Sequence, residues 1–224
     1  MNRYLHTFLI TIYSAVTLAA LVVLVYMGQS YYSLPIEERF FHPMYGMLKP
    51  SGYLSHGFGI AGTLMILFGL FSYMARKHIR LFWGWGLLKH WLEFHIFLCT
   101  LGTLLVVFHT TFKFGGLISI GFWSLIIVWL SGLIGRFIYI QIPRTIEGRM
   151  LSIQEVQEKI ENLEATHSDK KLLKKLKRQV KGLEQMKRIF NRWHYAHLPF
   201  ALIMLLIMVI HVAVVLYLGY KWIF

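Results

Sequence analysis

The chain has one cysteine, Cys99, set in an apolar stretch. An internal disulfide, a zinc ribbon and an iron–sulfur cluster built from this chain alone are therefore excluded. Charge is also scarce: 15% of the 224 residues are Asp, Glu, Lys or Arg, while 57% are hydrophobic and the mean hydropathy is +0.56. A soluble core of this size could not hide that much apolar surface, so disordered, collagen-like and ordinary soluble enzyme classes are excluded. Acidic residues are outnumbered, 10 against 23 basic ones, for a net charge of +13. In a soluble protein that excess would point to nucleic acid. In a membrane protein it marks the cytoplasmic loops, and no nucleic-acid partner is expected.

Five stretches are apolar and long enough to cross a bilayer core, which takes about 20 helical residues. They are Leu5 to Met27, Tyr53 to Met74, Trp91 to Thr111, Leu117 to Ile140 and His197 to Leu218. The first has no small-residue cleavage site before Gly28 and reads as a retained helix, not a signal peptide. With a cytoplasmic N-terminus, every Lys and Arg except Arg39, Lys49, Lys113 and Lys221 falls on the cytoplasmic side. That asymmetry obeys the positive-inside rule and predicts this orientation, in a prokaryotic inner or cell membrane. The predicted fold is all-α: a single membrane domain over 1–224 built as a five-helix transmembrane bundle, with a cytoplasmic insert at 144–192 between helices 4 and 5.

Within the insert, Ser152 followed by Glu155 reads as a capping box that opens an amphipathic helix with Ile153, Val156, Ile160 and Leu163 on one face. After Thr166 to Asp169, a second stripe carries Leu172, Leu173, Leu176, Val180, Leu183, Met186 and Ile189. The first helix is acidic and the second basic, which suits an antiparallel hairpin. It serves either as a docking surface for another subunit or as a solvated element resting on anionic lipid.

Ionisable side chains within a span are functional candidates, because an unpartnered polar ring in hydrocarbon is costly. His95 and His109 lie 14 residues apart on the third span, and His197 and His211 lie 14 apart on the fifth. Fourteen helical steps bring the second ring to within about 40° of the first, about 21 Å further along the axis. The third and fifth spans run in the same direction, so His95 levels with His197 and His109 with His211. Two facing imidazoles are the axial set that a six-coordinate iron porphyrin accepts. No Cys-x-x-Cys-His run is present for covalent attachment, so two b-type haems, each held by two histidines, are expected across the bilayer. Hydrogen-bonded histidines in polar cavities, or ligands of another metal, are the alternatives. Neither pair carries the carboxylates or cysteines that a zinc or di-iron site adds. His194 rivals His197, but its distance of 17 from His211 breaks the match.

The pattern His95-x13-His109 and His197-x13-His211, on helices separated by one other, resembles two families. One is the ferric reductase and NADPH oxidase transmembrane domain; the other is the cytochrome b of quinol–cytochrome c oxidoreductases. The resemblance covers the region from Trp91 to Leu218 and implies bis-histidine haem ligation and transmembrane electron transfer at those four positions. Two departures stand out. The sequence ends soon after Leu218, so fused flavin and nicotinamide domains are not expected, and the Pro-Glu-Trp-Tyr motif of the quinol-oxidising cytochrome is lacking.

Gly57-Phe-Gly-Ile-Ala-Gly62 matches a dinucleotide-binding pattern but opens an apolar span and follows no strand. Gly57, Gly59, Gly62 and Gly69 are better read as places where a neighbouring helix or a porphyrin edge approaches. Lys113 and Arg136 (or Arg144) are candidate partners of haem propionates, or else headgroup anchors. Glu93 either carries protons to a quinone or caps a span end, and His56 is a candidate lining residue of a quinol pocket. His6, His42, His78, His90, His167 and His194 read as structural. The expected function is a dihaem b-type cytochrome, the electron-transfer (oxidoreductase) subunit of a larger membrane complex, with a quinone and a redox subunit as partners. The alternatives are a terminal reductase of the ferric-reductase kind and a non-haem transporter or assembly protein.

Overall fold

The computed structural model describes residues 3–141, 158, 160–162 and 170–223. Among them there is no strand, and five helices are long and apolar enough to cross a membrane. The helices are α1 (Arg3–Tyr32), α2 (Tyr45–Leu48), α3 (Tyr53–His78), α4 (Leu88–His109), α5 (Gly116–Gln141) and α6 (Lys170–Ile223). Short 3-10 turns lie at Glu38–Phe41 and Arg80–Phe82. The chain divides into two compact units, Met1–Ser119 and Ile120–Phe224. The spans are apolar on nearly all sides, as helices facing lipid must be.

In the first unit, α3 and α4 pack antiparallel in one register. Ser55 lies opposite His109, Gly62 opposite Gly102, and Gly69 against the backbone of His95. Each step of seven back along α3 is matched by seven forward on α4, so one face of each helix stays in the seam over two turns at a time. The seam closes at its centre because both residues lack a side chain. A Cβ on Gly102 would stand 2.7 Å from the Gly62 carbonyl oxygen, and one on Gly62 would stand as close to that of Gly102. Backbone cannot yield as a side chain can. Gly102→Leu is therefore expected to destabilise the protein by about 2 kcal/mol or more, read as a lower midpoint of thermal unfolding in detergent. Gly57→Ala, where a Cβ meets open space, is expected to be neutral.

Helix α4 ends at His109 because Thr111 and Phe112 adopt left-handed backbone, with φ of 51° and 59°. That conformation is unfavourable for side chains with a Cβ, above all for β-branched Thr. What holds it is Arg39. The guanidinium is buried and donates to the carbonyls of Thr111 (2.7 Å), Leu34 (2.9 Å) and Tyr32 (3.0 Å). It also lies 5.4 Å from the Tyr31 ring centre. One cation thus satisfies carbonyls at the C-terminal ends of α1 and α4, where the helix dipoles favour positive charge.

In the second unit, α5 and α6 are also antiparallel in one register: Gly121 faces Ile207, Ser131 faces His197, and Gly135 faces Trp193. The capping box at Ser152 and Glu155, with the rest of the first hairpin arm, lies outside the described residues apart from short helical pieces. The second arm runs unbroken into the fifth span, so α6 is one helix of 54 residues. Pro199 lies inside it and has no N–H to give the Tyr195 carbonyl. Interior prolines of this kind are tolerated in spanning helices, where neighbouring groups satisfy the freed carbonyl.

Candidate functional site

His95, His109 and His197, three of the histidines singled out by spacing, are each positioned by a particular neighbour. His109, half-buried at the end of α4, has its Nδ1 2.9 Å from the Ser55 carbonyl oxygen, and the Ser55 hydroxyl returns a bond to the His109 carbonyl at 3.0 Å. A carbonyl can only accept, so Nδ1 carries the proton and the basic lone pair of the ring is on Nε2. Gly59 makes this approach possible, since a Cβ there would lie 2.9 Å from the His109 Cγ. His56 stands edge-on to the same ring at 6.2 Å.

His95 lies two turns the other side of Gly102. Its ring bonds to the Gly69 backbone, stands 5.5 Å from the Tyr73 ring, and has the Cys99 Sγ 3.6 Å from Nδ1. The lone cysteine is thus part of the surroundings of His95. Gly69 admits this packing; Gly57 meets nothing.

In the second unit, His197 Nδ1 lies 2.6 Å from the Ser131 Oγ. The Ser131 hydroxyl donates to the Val128 carbonyl at 2.9 Å, so it accepts from His197. This proton too is on Nδ1, with the lone pair on Nε2. Trp193 donates from Nε1 to the Ser131 carbonyl at 2.7 Å and lies beside the His197 ring at 5.1 Å. His194 is exposed, with its ring 6.1 Å from that of Trp193, while His211 is half-buried further along α6. Lys113 stands exposed in the turn after α4, and Arg136 is half-buried on α5.

The structure also brings together three residues that sequence patterning does not join. Glu93 is buried at 7% exposure and accepts from two imidazoles: His6 Nε2 at 2.8 Å from α1, and His90 Nδ1 at 3.2 Å from the preceding turn of α4. Lys89 Nζ lies 3.7 Å away on the same carboxylate. Glu93 is therefore the centre of a cluster and not a helix cap. His6 and His90 read as structural because they sit near span ends. The available signal was that α1 and α4 run in the same direction, so their first turns lie at one level, and that His90 and Glu93 are three apart on one helix face.

Fold and side chains together define the class: an integral membrane helical protein with histidines set into four of its five spans. No protein-family model, curated protein or solved structure matches the chain.

Proposed function

We propose that this chain is a dihaem b-type cytochrome subunit that carries electrons across the bilayer between a quinol/quinone pool and a partner redox protein. The observation that carries the reading is the state of His109 and His197. Each has its Nδ1–H anchored on a neighbouring helix, by the Ser55 carbonyl and the Ser131 hydroxyl, which puts the basic lone pair on Nε2. That is how second-shell partners orient an imidazole as an iron ligand. Together with the equal spacing of 14 on two spans, it supports the reading in which His95 with His197 and His109 with His211 would hold two haems. Bound there, the haems supply reversible one-electron chemistry.

What the chain's own residues supply is ring orientation and an apolar surrounding. The Gly59 and Gly69 gaps let the α4 rings sit against α3. The segment of α6 before the span presents exposed Lys174, Lys181, Lys187, Arg188 and Arg192, a surface suited to an acidic redox partner. In this reading the N-terminus is cytoplasmic, in a prokaryotic cell membrane, following the placement of the basic residues.

The test is a pyridine-haem assay on the full chain purified in detergent. Two haems per chain is the expected result. A preparation that folds and carries none overturns the reading in favour of a non-haem membrane protein.

A further inference from the structure

We propose that His6, His90 and Glu93 form a binding site for a first-row divalent transition-metal cation, with Zn2+ as the ion their donor set suits. The site is distinct from the four histidines of the haem reading and shares no residue with them. One ligand atom from each of the three residues can be chosen so that all lie within 4.8 Å of one another, a spread that small side-chain adjustments bring around one ion. Two imidazole nitrogens and one carboxylate oxygen are the protein ligands of many open zinc sites, which leave a further position for water. Cysteine and extra carboxylates, which would favour other ions, are not part of the cluster.

Two features of the cluster separate it from an ordinary buried ion pair. First, the donor atoms already converge: His90 Nδ1 lies 3.2 Å from one Glu93 oxygen and His6 Nε2 2.8 Å from the other, so these two nitrogens are the ones that face an ion bound by the carboxylate. His90 Nε2 is buried and has no hydrogen-bond partner among the described residues, so no acceptor or donor there opposes moving the ring proton to Nε2 and turning the Nδ1 lone pair to a cation.

Second, Glu93 is served by two rings that lie 5.6 Å apart from different helices. An ion at this point would tie the first turn of α1 to that of α4, two residues before His95. Lys89 is the competitor. Its ammonium, 3.7 Å from Glu93 and 31% exposed, balances the carboxylate in the metal-free state and has room to swing out to solvent.

The test is equilibrium dialysis of the full chain, stripped with chelator in detergent, against a series of free Zn2+ concentrations, with zinc counted per chain. One saturable Zn2+ per chain is expected. His6→Gln and Glu93→Gln are each expected to weaken it by about tenfold to a hundredfold, with His78→Gln, at the exposed last residue of α3, unchanged. Lys89→Met is expected to tighten binding several-fold, a gain that a folding defect cannot produce. Zinc uptake that does not saturate, that is equal in wild type and His6→Gln, or that is not strengthened by Lys89→Met overturns the proposal. Haem per chain is counted in the same samples, so the two readings fail separately.

Discussion

His109→Ala is expected to lower the haem content from two per chain to one. In the proposed pairing His109 shares a haem with His211, and a single imidazole on a mobile porphyrin retains it poorly once the other axial ligand is gone. His95→Ala is expected to remove the other haem and leave this one. The two variants should then differ in their reduced-minus-oxidised spectra and in midpoint potential, because one site lies beside Cys99 and Tyr73 and the other beside His56 and Ser55. Neighbouring dipoles and polarity set haem potentials.

The serines sharpen the test. Ser55 holds the His109 ring through its backbone carbonyl, so Ser55→Ala keeps that bond and is expected to retain both haems. Ser131 holds His197 through its hydroxyl, so Ser131→Ala loses the anchor and should weaken retention of one haem by about tenfold or more. Two haems persisting unchanged in His109→Ala would sink the assignment.

The five spans were legible because hydropathy sums over some twenty residues, and a few polar ones cannot mask the total. Their ends were not. The apolar run suggests a third span through Thr111, yet α4 stops at His109 because the next residues turn left-handed, and nothing in hydropathy encodes φ. The small residues of α3 were legible as places of close approach, and Gly62 and Gly59 bear that out against Gly102 and His109. Which helix came close was not, since a glycine carries no mark of its partner. His6 and His90 read as structural for the same reason: only the packing of α1 beside α4 gives them Glu93 in common. Arg39 likewise read as one of four stray outer charges. Its burial depends on carbonyls from three separate positions, which converge only when the chain has folded.

Arg39→Met is the substitution expected to have the largest effect on stability, about 3 kcal/mol of destabilisation. Methionine fills similar volume but donates nothing. Three carbonyls, of Tyr32, Leu34 and Thr111, lose their charged donor together, and each buried acceptor left unsatisfied is unfavourable. Part of the loss is offset because a guanidinium no longer has to be desolvated. Arg39→Lys should recover less than half, since a single ammonium cannot reach three acceptors in the fork that a planar guanidinium spans.

The measurement is thermal unfolding in detergent of the three proteins side by side. The consequence should be local as well. Thr111 is fully buried with a left-handed backbone, and Arg39 is the group that secures its carbonyl. When that bond is lost the turn relaxes, and His109, two residues earlier, loses the fixed end of its helix. Arg39→Met should therefore loosen the haem assigned to His109 while leaving the one at His95, four turns away, intact. Equal loss of both haems, or wild-type stability, would show that Arg39 is not the clamp for this end of α4.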